Sequence, residues 1–261
     1  MNEGRLRIAV LLGGRSAERE VSLNTGDQVA VALESAGHAV TRVDTADIGF
    51  IETVRTGGFD VAFICLHGRF GEDGTVQGLL ELLELPYVGS GVLASALAMD
   101  KVVSKQVFVS AGIKTPAWET VRAGDDVALD AISGRLGDKV VVKPVSEGSS
   151  VGMSIVHDRN ELGPAIEEAL RHDHTVLIEQ FVAGAEVTVG VLGNEDLEPL
   201  PTLEIVPEHE FYDYESKYIP GMSRHIIPAR VAEGARRECQ RVAVEAHRAL
   251  RCRGMSRSDT I

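Results

Sequence analysis

The stretch "VVVKPVSEGSSVG", Val140 to Gly152, combines the features that decide the fold class and suggest a ligand. Three valines predict a buried strand, and Lys143 and Pro144 end it. A loop of Ser, Glu and Gly follows, in which Gly148 allows close backbone approach and successive N–H groups can form an anion site. Taken alone, this stretch is either a polar turn or a phosphate clamp. Gly148 and Gly152 bracket Ser149 to Val151, and we expect neither of these flanks to be packed.

The next strand favours the phosphate clamp. In "TVLIEQFVAGAE" Glu179 ends an apolar run, and Glu186 follows seven residues later. Carboxylates at these places can accept hydrogen bonds from adenine or from ribose hydroxyls. The chain has neither the Walker A pattern nor a G-x-G-x-x-G that opens a helix, so a nucleotide site here would be of another type. A lysine strand, a Gly/Ser loop and an acid-bearing strand together predict two walls of an ATP cleft.

The first third of the chain alternates strand and helix signals, which predicts a parallel sheet with helices on both faces. The apolar runs "RIAVLL", "HAVTRVD" and "DVAFICLHG" are the predicted strands, and "VSLNTGDQVAVALESAG" and "IGFIETVRTGG" are the predicted helices. Ligands bind beyond the carboxyl ends of such strands. The loops "GGRSAERE" and "HGRFGEDG" lie there, either as solvated turns or as part of a binding site.

Farther along, "PYVGSGVLASALAMDKVVSKQVFVSAG" reads as one long helical stretch that carries Lys101 and Lys105 on one face. Strands and helices then alternate up to "TVLIEQFV". The segments "AEVTVGVLG" and "LPTLEIVP" have the alternation of antiparallel strands. A loop is predicted at "FYDYESKYIPG", a helix at "VAEGARRECQRVAVEAHRAL" and a strand at "RGMSRSDTI".

The composition narrows the class of protein. The chain has 261 residues, 44% of them hydrophobic, a net charge of −13 and a pI of about 5.1. This acidic balance argues against a nucleic-acid partner, although local lysines can still hold a phosphate. Three cysteines without a CxxC pair fit a reducing compartment. No segment has the length of a signal peptide or a membrane span. We therefore expect a cytoplasmic protein with neither a nucleic-acid nor a membrane partner.

Five motifs in order resemble those of the D-alanine–D-alanine ligase family, which belongs to the ATP-grasp superfamily. They are "LLGGRSAEREVSLNTG", "LHGRFGEDGTVQGLLELLELPYVGSG", "ASALAMDKVVSK", "VVVKPVSEGSSVGMS" and "FYDYESKYIPG". The resemblance covers essentially the whole chain. It implies an α/β ATP-grasp fold with three α/β domains: an N-terminal parallel sheet (1–97), a central lid domain (98–183) and an incomplete C-terminal mixed sheet (184–261).

The resemblance also implies an activity. In this family ATP phosphorylates the carboxylate of one D-alanine, and the amine of a second D-alanine attacks the acylphosphate. The dipeptide product feeds peptidoglycan synthesis. The implied partners are ATP and two D-alanine molecules, with a second copy of the chain in a homodimer. The implied metal is Mg²⁺ or Mn²⁺, with two ions expected.

Individual site residues carry over by motif. Lys101 and Lys143 would neutralise the phosphates, and the Gly/Ser loop would close over them. Glu179 and the Val182 backbone would hold adenine, and Glu186 the ribose. The remaining ATP contact would be Lys217.

The amino-acid substrate would be bound by other residues of the motifs. Glu18 would take the ammonium of the first D-alanine, with His67 nearby. Ser149 and Tyr218 would join Glu18 in a hydrogen-bonded triad. Arg257 would stabilise the tetrahedral intermediate.

Asp259 would be a magnesium ligand. The family pattern continues beyond this position with a strand that bears Glu-x-Asn, and the 261 residues do not include that strand. A single carboxylate is a poor cage for two divalent cations. The resemblance therefore leads us to expect an incomplete C-terminal domain, weak binding of ATP and no turnover of D-alanine at a useful rate by the 261-residue chain.

Two alternatives stay open at this point. One is another ATP-grasp ligase, such as a depsipeptide ligase of the vancomycin-resistance type, against which Tyr218 argues. The other is a non-catalytic protein that binds a nucleotide or an amino acid.

Overall fold

A computed structural model of the protein describes residues 4–207 and 223–261. The described residues form an α/β fold with three sheets, which confirms the predicted fold class. The first sheet has the order β2-β1-β3-β4 and is parallel throughout. Its strands are β1 (Arg7–Leu12), β2 (Ala39–Asp44), β3 (Val61–Ile64) and β4 (Tyr87–Val88).

Helices cover both faces of this sheet, and apolar side chains of β1 alternate between two cores. Ala9 and Leu11 face one core, and Val10 and Leu12 the other. The helices of this region are α1 (Arg19–Ser35), α2 (Phe50–Thr56) and α3 (Thr75–Leu82). The first helix ends where the sequence predicts, because Gly37 adopts a left-handed conformation (φ +92°) that allows its N–H and that of His38 to bond back to the last turn.

The predicted single long helix after β4 is wrong. Two helices occupy this stretch, α4 (Val92–Met99) and α5 (Lys101–Ser110), and Asp100 separates them. Asp100 has extended backbone angles, and its side chain accepts the N–H of Val103 at 2.9 Å. An aspartate in this position is a favourable N-cap, so a new helix starts at Lys101.

The second sheet has the order β5-β8-β6-β7 and is antiparallel. Its strands are β5 (Trp118–Arg122), β6 (Val140–Pro144), β7 (Ser154–Val156) and β8 (Thr175–Gln180). Helices α6 (Leu129–Leu136) and α7 (Arg159–Ala169) share a core with one face of the sheet, to which Val140, Val142 and Ile178 contribute. The strand alternation puts Lys143, Glu179 and Trp118 together on the other face.

The third sheet has the order β10-β9-β11-β12, antiparallel, and β13 also pairs with β9. Helix α8 (Glu233–Ala249) packs on β9, where Val187, Val189, Val191 and Ala243 form the core. The strands are β9 (Glu186–Gly193), β10 (Glu198–Pro199), β11 (Leu203–Pro207), β12 (Ser223–Ile226) and β13 (Gly254–Thr260).

The chain divides into two compact units. One contains residues 1–96 with 252–254, and the other residues 97–251 with 255–261. The division into domains 1–97, 98–183 and 184–261 stays a prediction. Within residues 4–207 and 223–261, no helix is both long enough and apolar enough to cross a membrane.

Candidate functional site

The loops that follow β1 and β3 contact each other at the carboxyl edge of the parallel sheet. The Ser16 hydroxyl donates a hydrogen bond to the His67 carbonyl (2.8 Å) and accepts the N–H of Glu18 (3.2 Å). The His67 Nε2 atom lies 3.3 Å from the Thr25 hydroxyl of α1. Two predicted substrate residues, Glu18 and His67, are therefore brought together by the fold.

Glu18 precedes the first residue of α1, and its side chain is buried. The positive end of a helix dipole favours a carboxylate at this place. Gly68 lies directly against it: a Cβ atom at Gly68 would be 2.5 Å from the Glu18 Oε2 atom. Gly68 also has φ +64°, so both its backbone conformation and the lack of room for a side chain favour glycine here.

Carboxylates shape the loop between β3 and α3. The Gly68 N–H donates to Glu72 (2.7 Å), and the N–H groups of Phe70 and Thr75 donate to Asp73 (2.8 and 3.0 Å). These acidic side chains of "HGRFGEDG" thus bind the loop's own backbone.

Asp44 at the end of β2 has the same kind of role for the first loop. It accepts the N–H of Gly14 (3.1 Å) and both terminal nitrogens of Arg19 (3.0 and 2.6 Å). The Arg19 guanidinium, aided by the backbone N–H groups of Ala46 and Gly14, lowers the pKa of Asp44 to about 2 despite partial burial. The loop before Glu18 is therefore held in place by Asp44, a residue outside the motif "LLGGRSAEREVSLNTG".

On the face of the second sheet opposite the core that it shares with α6 and α7, Glu179 pairs with two lysines. One carboxylate oxygen contacts Lys105 of α5, and the other contacts Lys143 of β6. Burial alone raises the pKa of Glu179, but the charges and hydrogen bonds of the two lysines outweigh it and hold the pKa below its usual value. Glu179 is therefore an ionised acceptor in a nearly dry environment.

Lys101 begins α5 and binds the backbone ahead of the Gly/Ser loop. Its ammonium donates to the carbonyls of Val145 (3.1 Å) and Glu147 (2.6 Å), which uses two of its three donors. Burial lowers the pKa of Lys101 to about 8, and the nearby charge of Lys143 adds to this shift. Lys101, Lys105 and Lys143 form a lysine cluster around Glu179, and Lys101 connects this cluster to the backbone at the start of the Gly/Ser loop.

The Gly/Ser loop is held on both sides, and the expectation that neither flanking glycine is packed is wrong for Gly152. The Ser146 N–H donates to Asp173 (2.8 Å) in the turn before β8. A Cβ at Gly152 would lie 2.5 Å from the His172 ring, so this glycine packs closely on the same turn. Ser149 and Ser150 lie between these anchors with positive φ angles of 48° and 61°.

The remaining predicted ATP residues lie at or after the end of β8. Val182 is exposed in the connection to β9, and Glu186 is the first residue of β9. Lys217 and Tyr218 lie outside the described residues.

Asp259 and Arg257 lie on β13 and are both exposed. Asp259 accepts the Thr188 hydroxyl of β9 (2.5 Å) and pairs with Arg257 (3.2 Å). In the part of the chain that the structure describes, no three His, Cys, Asp or Glu side chains converge as a metal site. The role of Asp259 as a magnesium ligand stays a prediction.

Comparison with known proteins identifies the family to which these motifs and this fold belong. The family models for the "D-ala D-ala ligase N-terminus" and "D-ala D-ala ligase C-terminus" match residues 45–90 and 107–261. A D-alanine–D-alanine ligase from Syntrophotalea carbinolica is 52% identical over 97% of this chain and 80% of its own length. The chain belongs to the D-alanine–D-alanine ligase family. A further relative from Halalkalibacterium halodurans, of the same name, is 51% identical over 98% of this chain and 84% of its own length.

Solved ligase structures share the fold. The D-alanine–D-alanine ligase of Bacillus anthracis complexed with ATP matches with a TM-score of 0.83 and 31% identity, over 97% of this chain and 81% of that one. The VanG D-Ala:D-Ser ligase of Enterococcus faecalis matches with a TM-score of 0.81 and 32% identity, over 98% and 86%. The ATP-grasp fold inferred from the ordered motifs is thus confirmed.

Several residues of the site are not predicted from the sequence. Lys105 stands out there only through its spacing from Lys101, although that spacing is a usable signal for a shared helix face. Asp44 and Thr188 carry no local signal, because each acts on a segment far away in the chain.

Proposed function

We propose that the protein is an ATP-dependent D-alanine–D-alanine ligase that forms the dipeptide through a D-alanyl phosphate for peptidoglycan synthesis. About 50% identity to curated ligases over nearly the whole chain carries this proposal. The local chemistry agrees with it, because a lysine cluster adjoins a Gly/Ser loop and a buried carboxylate begins α1.

The nucleotide is proposed to bind on the face of the second sheet that carries Lys143 and Glu179. Lys101 and Lys143 contact the phosphates, and the Ser149 loop closes over them. Glu179 accepts a hydrogen bond from the adenine amino group, the Val182 backbone borders the ring, and Glu186 accepts hydrogen bonds from the ribose hydroxyls. Lys217 completes the phosphate contacts. Phosphoryl transfer needs positioned positive charge more than covalent help from the protein, which is what such lysines supply.

The first D-alanine is proposed to bind at the loops after β1 and β3. Its ammonium pairs with Glu18, and His67 borders it. Ser149 and Tyr218 join Glu18 in a triad, and Arg257 stabilises the negative charge of the tetrahedral intermediate. A fixed, buried carboxylate orients the amino acid without reorganisation at the moment of reaction.

Magnesium or manganese is proposed to enter with ATP, with two ions expected. Magnesium usually takes one or two protein carboxylates, with phosphates and waters as its other ligands. Asp259, fixed by Thr188, fits one such contact. When bound, the metal neutralises charge on the transferring phosphoryl group.

Phosphate release from ATP tests the proposal on a version of the chain extended through the Glu-x-Asn strand of the family pattern, with D-alanine as the sole amino acid and with D-alanine plus D-serine or D-lactate. We expect release with D-alanine alone, together with one dipeptide per phosphate. The VanG similarity makes the D-serine arm informative, and the D-lactate arm tests for a depsipeptide ligase. Release that needs D-serine or D-lactate would reassign the second substrate, and no release with any of them would contradict a ligase.

A cytoplasmic location and a homodimer complete the proposal. Light scattering of the purified chain should give twice its mass of 28.0 kDa. A monomer at micromolar concentration would contradict the dimer.

A further inference from the structure

All three hydrogen-bond donors of the Lys105 ammonium have partners within the protein. Its ammonium donates to the Thr115 hydroxyl (2.6 Å) and the Pro116 carbonyl (2.9 Å), and it pairs with Glu179. It also lies over the Trp118 ring, 4.7 Å from the centroid. An ammonium has three donors, so these contacts use its capacity and leave none for a ligand.

Lys143 pairs with the other oxygen of Glu179 but is far more accessible. Its side chain is 25% exposed, against 5% for Lys105. An exposed lysine can leave its partner for a phosphate group, whereas a buried lysine with three partners is costly to move. The two lysines on one carboxylate therefore differ in their freedom to move.

We propose that Lys105 is a positioning residue for adenine recognition: it holds one oxygen of Glu179 while the nucleotide draws Lys143 away from the other oxygen. The freed oxygen then faces the 6-amino group of adenine. Without Lys105, the departure of Lys143 would leave Glu179 buried without a counter-charge in contact with it, which favours rotation or protonation of the carboxylate. This inference rests on the proposed nucleotide site.

The test compares two nucleotides by isothermal titration calorimetry of the full chain with magnesium. One is a non-hydrolysable ATP analogue, and the other is the matching analogue of purine riboside triphosphate, which lacks the 6-amino group. We expect Lys105→Met to lower the affinity for the ATP analogue at least about tenfold and the affinity for the purine analogue less than about threefold. Lys114→Met, which removes an exposed lysine nearby in the chain, should change neither.

Two further variants distinguish positioning from general damage. In a Glu179→Gln background, Lys105→Met should no longer change the preference between the two nucleotides, because the carboxylate that it positions is gone. Thr115→Val removes one hydrogen-bond partner of Lys105 and should reduce the preference for the ATP analogue over the purine analogue by about two- to threefold. This milder variant still tests the inference if Lys105→Met does not fold.

The outcomes separate this inference from the proposed function. If the unmodified chain prefers the ATP analogue and Lys105→Met weakens both nucleotides equally, or neither, the positioning role is wrong and the nucleotide site stands. If the unmodified chain binds both equally, Glu179 does not recognise the amino group and the inference fails. If it binds neither, the nucleotide site fails as well.

Discussion

Glu18 is the residue on which the proposed amino-acid site depends most directly. It is buried at the start of α1, and Gly68 lies against its carboxylate. We expect Glu18→Gln to keep the shape but remove the charge that binds an ammonium. Loss of one partner of a desolvated pair costs roughly 2–5 kcal/mol, so kcat/KM for D-alanine should fall at least about 30-fold.

Steady-state kinetics with varied D-alanine, on the version extended through the Glu-x-Asn strand, measures this effect. Glu20→Gln is the matched control, because Glu20 is exposed two residues later on the same helix. Kinetics of Glu18→Gln that equal those of the control would show that another group binds the ammonium.

We expect Lys101 to make nucleotide affinity depend on pH. Its pKa is lowered to about 8, below the ordinary value for lysine, so the free protein loses this positive charge as pH rises through 8. If phosphate binding needs the charged form, affinity is full below pH 8 and falls about tenfold between pH 7 and pH 9. Glu147 and Asp173 oppose the shift and Lys143 adds to it, so the direction follows from burial among mixed charges.

Nucleotide titrations from pH 6.5 to 9.5 measure this loss. Lys101→Arg stays charged over this range, so its affinity should be flat with pH even if it is lower overall. An unchanged affinity of the unmodified protein across the range would mean that Lys101 does not contact the phosphates.

At the scale of elements, two loops contain a glycine with a left-handed backbone conformation. Gly68 and Gly37 both have left-handed φ angles, so alanine at either position costs roughly 1–2 kcal/mol in the backbone. Only at Gly68 would the new Cβ meet a functional group, Glu18, whereas nothing lies within 4 Å at Gly37. We expect similar losses of stability for Gly68→Ala and Gly37→Ala but a raised KM for D-alanine only for Gly68→Ala.

Thermal melts and D-alanine kinetics on both variants check this prediction. An equal KM in the two variants would show that the position of Glu18 does not depend on the loop after β3.

The Gly/Ser loop is expected to become ordered when nucleotide binds. Its flanks are fixed by the turn at 172–173, so opening is confined to the residues between Ser146 and Gly152. Amide hydrogen exchange at Glu147 to Val151 should slow on addition of ATP analogue and magnesium. The Ser146 amide, already bonded to Asp173, is an internal control that should change little. Equal exchange with and without nucleotide would leave a polar turn instead of a clamp.

Much of the element pattern is predictable from sequence because it rests on local signals. Period-two and helical spacing indicate the strands and helices of the described residues, and Gly37 marks a helix end. The break at Asp100 escapes this reasoning because apolar residues continue on both sides of it. Residues such as Lys105 and Asp44 cannot be assigned a role in this way, since their partners Glu179 and Gly14 are 74 and 30 positions away.

For the whole molecule, the proposed ligands divide between the two compact units. The nucleotide residues Lys101, Lys143 and Glu179 lie in the unit of residues 97–251 and 255–261, whereas Glu18 and His67 lie in the other. The net charge of −13 would repel ATP at long range, so affinity has to come from these local lysines. Each ligand should therefore stabilise its own unit first.

Hydrogen exchange of the core strands tests this division. At a nucleotide concentration about a hundredfold above Kd, mass action stabilises the binding unit by about 2.7 kcal/mol, which slows exchange through its unfolding about 100-fold. We expect this slowing in β6 and β8 with ATP analogue alone, and little change in β1 and β3. D-alanine alone should slow the loops after β1 and β3 instead. If the nucleotide protected β1 as strongly as β8, the two units would unfold together, and the boundary proposed at residue 97 would not separate independently stable domains.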